Sequence, residues 1–397
     1  MKAHDEDGNT ETTEINITTD ELPEEIPTTE LVEADAEKME DGLTFIVPSK
    51  NYLYAVDENA DVRWYADMEF RLILTRVQNG NILVNTKSND QEKYDELLEM
   101  DMTGKLSNAY TINIDSYEED NLIHHDVIEL PSGNLLVATH DPDGTYVEDH
   151  KHEIDRETGE TVQEIDLKDI FPKEVYEEYD GEYAEKNDWF HQNAIWFDET
   201  DNTIVISGRH QDAVMKLSYP DAELKWILAA DEGWQDEYKD YLLEPENDVK
   251  FPAAQHAMKI LPDMDGDEDT VDLLLFDNNH VVTRGDRDIS NQYSRAVQYR
   301  INEKEKTVSE IWSYGEERGE AFYSEIIGNA QYLPETGNRL ITSGYIEPEE
   351  DSDEIVSKVV ETNDKDDADI IFEIMLPNLE KYSRKYVYRA VRMPLYP

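Results

Sequence analysis

The 397-residue chain contains no cysteine, which excludes disulfides, thiolate metal sites and cysteine nucleophiles. No window holds 18 consecutive apolar residues, so no membrane-spanning helix is expected. Basic side chains are scarce: 35 Lys and Arg stand against 94 Asp and Glu, a formal net charge of −59. Such a surface repels nucleic-acid backbones and anionic membranes, and no basic cluster offsets it, so nucleic acid is not a partner. The carboxylates run through every segment, a distribution that suits work in high salt, where screening relieves self-repulsion. A Gly-rich phosphate loop and a Ser nucleophile elbow are also missing. Residues 1–7 lack the apolar core of a secretory signal.

What the chain does have is a repeat. Residues 188–211 read as two strands joined by a polar turn at 199–202. Alternation along the first strand puts His191 and Asn193 on one face and Gln192 and Ala194 on the other. Residues 203–207 are β-branched and short, as a return strand should be, and Arg209 ends it. The hairpin can hold His191, Asn193 and Arg209 together, two neutral donors and a fixed cation, which is an anion clamp. Taken singly, a strand histidine is usually structural and a strand-end arginine usually faces solvent.

Repetition changes that balance. His125 lies five residues before Leu130, ahead of a turn at 131–134 and a return at 135–137. His191 lies five residues before Trp196, and His256 five before Leu261. Gly328 holds the same slot before Leu333, and an earlier copy runs over 72–84. Units that recur every roughly 50 to 75 residues, built of short strands and turns, indicate a β-propeller. Equivalent innermost strands of a propeller line one channel, so His125, His191 and His256 are expected to meet near its axis, with Arg209 within reach.

The units fall at about 43–67, 71–113, 124–167, 190–228, 255–314 and 328–376. The first is short of a strand, and 385–392 is a strand left over. We therefore expect an all-β, six-bladed propeller over 43–397, closed by the C-terminal strand and preceded by a short acidic arm, 1–42, partly extended. Inserts at 171–189 and 231–250 should form short helices or loops on one rim. The acidic run 263–269 resembles a calcium loop only superficially, since it lacks the spacing and terminal glutamate of that motif.

Several motifs resemble the bacterial aryl sulfate sulfotransferase family: His124, His125 and Asp126; the strand at 188–193; 207–211; Gln255 and His256; Phe276, Asp277 and Asn278; and 293–299. The resemblance runs from about residue 43 to the C-terminus. It implies transfer of a sulfuryl group from an aryl sulfate to a phenol through a sulfohistidine, with no nucleotide donor and no cofactor or metal. It implies His256 as the nucleophile, His191, Asn193 and Arg209 as binders of the sulfuryl oxygens, and His125 in acid–base or oxygen-binding duty. Position in the repeat alone leaves the three histidines equivalent. Larger members resemble a propeller preceded by a β-domain, which the arm is too short to hold. The family's familiar members are exported, which favours an exported or cell-surface location over a cytoplasmic one. The sequence carries no signal for an oligomeric state. Two other readings stay open on the residues. Three converging histidines suit Zn or Fe, although Arg209 beside a divalent metal argues against it. A noncatalytic propeller serving as a binding or surface protein is the other, because this fold serves both trades.

Overall fold

The computed structural model describes residues 2–4, 10–12, 21–49, 52–88, 94–112, 122–141, 145–181, 183–347, 354–365, 368–377, 379 and 386–396. Six antiparallel sheets succeed one another around a channel, each with four main strands. The innermost strands are, blade by blade, Val387–Met393, Thr75–Arg76, Ile123–Glu129, Gln192–Asp198, His256–Ile260 and Asn329–Tyr332. Second strands such as Leu135–Thr139 and Thr203–Gly208 are buried along their whole length, because neighbouring blades cover both faces. The outermost strand of the first blade, Val62–Ala66, alternates exposed and half-buried residues, as a rim strand should.

Six apolar clusters hold the ring, one at each junction between consecutive blades. Between the third and fourth, for example, Leu136 and Ala138 meet Ile204 and Ile206. Between the sixth and first, Leu340, Val359 and Phe372 meet Ile46 and Tyr54. Part of the acidity is spent locally, in the hairpins between third and fourth strands. Asp57 accepts the backbone N–H of Asn59 and Asp61, Asp101 those of Thr103 and Lys105, and Asp155 those of Glu157 and Thr158. A short carboxylate that mimics a backbone turn is the usual reason for Asp at such corners.

The expected closure by the C-terminal strand is corrected. Among the described residues no sheet is closed by hydrogen bonds. Val387–Met393 pairs antiparallel with Leu43–Pro48, Val391 opposite Phe45, and so fills the inner position of the first blade. That sheet, ordered 387–393, 43–48, 53–56, 62–66, remains open at both edges. A blade edge is therefore joined to the next blade by side-chain packing and not by a continuous ladder.

Within the arm, Glu30–Ala34 adds a fifth strand to the sixth blade, Glu33 opposite Glu373. All five residues are exposed, so its backbone ladder, not apolar burial, attaches it. Glu40 anchors the end of the arm, its Oε2 accepting the N–H groups of Glu335 and Thr336 at 2.9 and 3.0 Å. Lys2–His4 and Thr10–Thr12 form a separate two-stranded pair. The inserts carry the helix Lys173–Tyr176 and the 3-10 turns Ala184–Lys186 and Asp236–Tyr241. No helix among the described residues is long and apolar enough to cross a membrane.

Candidate active site

One backbone device repeats where the innermost strands begin. Leu72, His125, His191, Ala254 and Ile327 all have φ between 51° and 58°, a left-handed conformation uncommon for residues with a Cβ. The pairing register also slips between Ile123 and Val127, between Gln192 and Ala194, and between His256 and Lys259. A bulge re-aims side chains that regular pleating would send elsewhere. In the sixth blade the slot belongs to Gly328, where a Cβ would lie 2.3 Å from the Phe276 ring, so only glycine fits.

His125 and His191 come together with ring centroids 4.9 Å apart. His191 lies 4.4 Å from His210, centroid to centroid. Its Nδ1 sits 2.7 Å from both Asp188 Oδ2 and Glu148 Oε2. Burial disfavours its charge, but Glu148 and Asp188 outweigh burial and hold its pKa up at about 9. His191 is thus an imidazolium at neutral pH, with Nδ1–H committed to carboxylates and Nε2–H left to act. Asp188, also buried, is kept far below the usual carboxylate range by His191 and His210.

His256 has the opposite character. Its Nδ1 is 2.7 Å from Asn278 Oδ1. Asn278 cannot be turned around, because its Nδ2 donates to the carbonyls of Ser324 and Ile327, both at 2.7 Å. Asn278 Oδ1 can only accept, so His256 carries its proton on Nδ1 and a lone pair on Nε2. Burial, then the charge of Arg209, holds this histidine neutral with a pKa well below the ordinary value, against the pull of Asn278. Gln255, the preceding residue, is tied to the fourth blade. Its Nε2 donates to Ser207 Oγ and the Ala213 carbonyl at 2.9 Å each. Its carbonyl accepts Asn193 Nδ2 at 2.7 Å. Asn193 is fully buried, and this bond makes it a brace for the His256 strand.

Arg209 opens the 3-10 turn Arg209–Gln211 and is 3 % exposed. Its Nη1 donates to His210 Nε2 at 2.7 Å, and its guanidinium lies 5.2 Å over the Tyr183 ring. His210 donates from Nδ1 to the Asp188 carbonyl at 2.6 Å. Both its nitrogens are therefore engaged. Asp188, His191 and His210 bring ligand-type atoms within 4.8 Å of one another, but the lone pair a metal would need on His210 is already taken by Arg209.

His125 and His124 face each other through their Nδ1 atoms at 2.9 Å. His124 Nε2 is buried with no partner. A buried unmatched N–H is rarer than an unmatched acceptor, so His124 donates from Nδ1. His125 accepts there and keeps Nε2–H as a donor. Burial, then His191 and His124, press the His125 pKa well down. The centre thus combines two cations, Arg209 and His191, one neutral donor, His125, and one buried lone pair, on His256. An open cleft of about 830 Å³, lined by Asp166, Pro220 and Tyr241, lies between the third and fourth blades and holds none of these residues.

Sequence reasoning placed the histidines but assigned no role to Glu148, Asp188 or Asn278. Asp188 and Asn278 stood inside quoted motifs. Glu148 lies in a loop with φ 58°, and nothing in its neighbours signals that it reaches His191.

Comparison with known proteins gives the same direction. The family model described as Arylsulfotransferase (ASST) matches residues 28–389. An arylsulfate sulfotransferase, AssT, of Lelliottia amnigena is 33 % identical over 203 residues, covering 47 % of this chain and 32 % of its own. The AssT of Escherichia coli O6:H1 is 34 % identical over 168 residues, covering 36 % and 26 %. The matched segments thus span about a third or less of these relatives' lengths. A solved structure from Bacteroides caccae, described as a protein of unknown function, superposes with a TM-score of 0.51 at 12 % identity, covering 88 % of this chain and 98 % of that one. That likeness concerns the fold alone. With the family model spanning nearly the whole propeller and the last strand of the arm, the chain belongs to the arylsulfotransferase family.

Proposed function

We propose that this protein moves a sulfuryl group from an aryl sulfate to a phenol through a sulfohistidine on His256, without a nucleotide donor. The observation that carries the reading is the Asn278 clamp, which leaves His256 Nε2 with a lone pair while Arg209 and His191 lie near enough to disfavour protonation of the ring. In the first half-reaction Nε2 attacks sulfur, an N–S bond forms, and the S–O bond to the ring breaks with its electron pair going to the phenolate. Arg209 and His125 supply N–H groups to the sulfuryl oxygens, where charge is spread in such a transfer, and the positive charge of His191 adds to that of Arg209. His191 also protonates the departing phenolate from Nε2. Its pKa of about 9 lies close to the ~10 of a phenol, the match that general acid–base catalysis favours. In the second half-reaction neutral His191 takes the proton of the acceptor phenol. The phenol oxygen bonds to sulfur and the N–S bond breaks, returning the lone pair to His256.

Incubation with an aryl sulfate, with and without a phenol and with no nucleotide, tests this. The expected result is phenol release that accelerates with acceptor and yields the acceptor's sulfate ester, unaffected by chelator. Activity lost in chelator and restored by a divalent metal would favour the metal-dependent reading. Ligand binding with no cleavage would favour a noncatalytic propeller.

A further inference from the structure

Two cations on innermost strands, one buried and one half-buried, have no part in that chemistry. Arg389, on the innermost strand of the first blade, is 5 % exposed. Its Nη2 donates to the His125 carbonyl at 2.8 Å and its Nη1 reaches Asp126 Oδ1 at 3.4 Å. Its Nε is buried with no acceptor. Lys259, on the innermost strand of the fifth blade, has no hydrogen-bond acceptor or carboxylate in bonding range among the described residues. Its ammonium rests 5.8 Å from the Trp196 ring. Asp126 is the carboxylate that offsets both cations, and its Oδ2 already accepts the Ile195 N–H at 3.1 Å. Two positive charges against one carboxylate is notable inside a protein of net charge −59.

Lys259 also lines a cavity of about 460 Å³ with Trp196, Phe197, Gln331, Tyr332 and Pro334. Trp196 is five residues beyond His191 on the same chain segment, about 16 Å at strand rise, and Lys259 three beyond His256, about 10 Å, so this cavity lies further along the channel than the histidines. Two carboxylates also line it, Asp198, which shares Lys216 with Asp201 and Glu303, and the exposed Glu199 at the hairpin turn. Beside those carboxylates the cavity offers an aromatic face, apolar walls and one ammonium with no carboxylate in bonding range among the described residues. Flat rings and a single negative charge match such a lining.

We propose that this distal cavity is a second binding site, for an aromatic anion, with the ring against Trp196 and the charge on Lys259. Occupancy would supply the anion that Lys259 lacks and concentrate such molecules at a channel mouth that the acidic surface otherwise disfavours. The site needs no turnover, so it stands or falls separately from the role of His256.

The test is calorimetric titration of full-length His256→Ala protein with phenyl sulfate, and the same with inorganic sulfate. Two binding events are expected with phenyl sulfate. Adding Lys259→Gln, or separately Trp196→Leu, should weaken one event roughly ten-fold or more and leave the other unchanged. In the parent background, Lys259→Gln should keep saturating turnover. A single binding event, or two events indifferent to both substitutions, would overturn the proposal. So would inorganic sulfate binding at the Lys259 site as tightly as phenyl sulfate, since the aromatic wall would then contribute nothing.

Discussion

Replacing Asp188 by Asn should discharge His191 within the working pH range. Asp188 and Glu148 each approach His191 Nδ1 to 2.7 Å, and together they lift its pKa from 6.5 to about 9. That rise corresponds to about 3 kcal/mol in favour of the imidazolium. Removing one of two equidistant carboxylates takes away at least roughly half of that net rise, because burial still opposes the charge, and lowers the His191 pKa by about one unit or more. The assay is the pH dependence of kcat/KM for an aryl sulfate whose phenol has a pKa near ~10, so that the leaving group needs the proton. The alkaline limb should sit near 9 in the parent and move down by about one unit or more in Asp188→Asn. The stability has the matching sign. A histidine whose folded pKa is raised contributes fully below about 6.5 and loses that contribution as the pH rises through about 9. The variant should therefore lose less stability than the parent between those values. The His191 ring proton, assigned by its absence in His191→Gln, gives an independent titration by NMR. A parent resonance titrating below about 7, or an alkaline limb that does not move in the variant, would refute the reasoning.

Other outcomes follow from the same contacts. Asn278→Asp places a carboxylate on His256 Nδ1 and should raise the His256 pKa, so the acid limb of the rate profile moves to higher pH, read in the same assay. Arg209→Ala should lower turnover by about 10²–10³-fold, the range seen when one oxyanion donor is lost, with a much smaller change in thermal midpoint. Asp212→Ala leaves the N–H groups of Ala254, Val282, Thr283 and Arg284 without their acceptor. At about 1–3 kcal/mol for each unmatched group, urea unfolding should show a loss of several kcal/mol. Gly344→Ala would put a Cβ 2.1 Å from the Val387 carbonyl and should destabilise the fold, measured by the same unfolding curve.

The repeat made most of the fold legible. Apolar second strands, Pro- and Asn-bearing turns and the leftover C-terminal strand each follow from local pattern, and the inner-strand histidines follow from their common offset to Leu130, Trp196 and Leu261. Closure was misjudged because an unpaired strand in a sequence says which sheet lacks a member, not how sheets join. That junction is made by side chains such as Phe372 and Ile46. The arm strand Glu30–Ala34 was not legible because it binds through its backbone, and its Leu31 and Val32 stay exposed instead of entering a core. The electrostatics of the site were the least legible. The three histidines look alike in sequence, yet Glu148 and Asp188 charge one while burial and Arg209 keep another neutral, through contacts between residues far apart in the chain. Those partners separate the roles that the repeat left equivalent.

The central claim is that His256 carries the sulfuryl group. Brief exposure of the protein to an aryl sulfate without acceptor, followed by intact-mass analysis and peptide mapping, tests it most directly. The account predicts one added sulfuryl group, labile in acid, on the peptide containing His256 and absent from His256→Ala. An adduct on His125 or His191, or donor cleavage by His256→Ala at the parent rate, would contradict it.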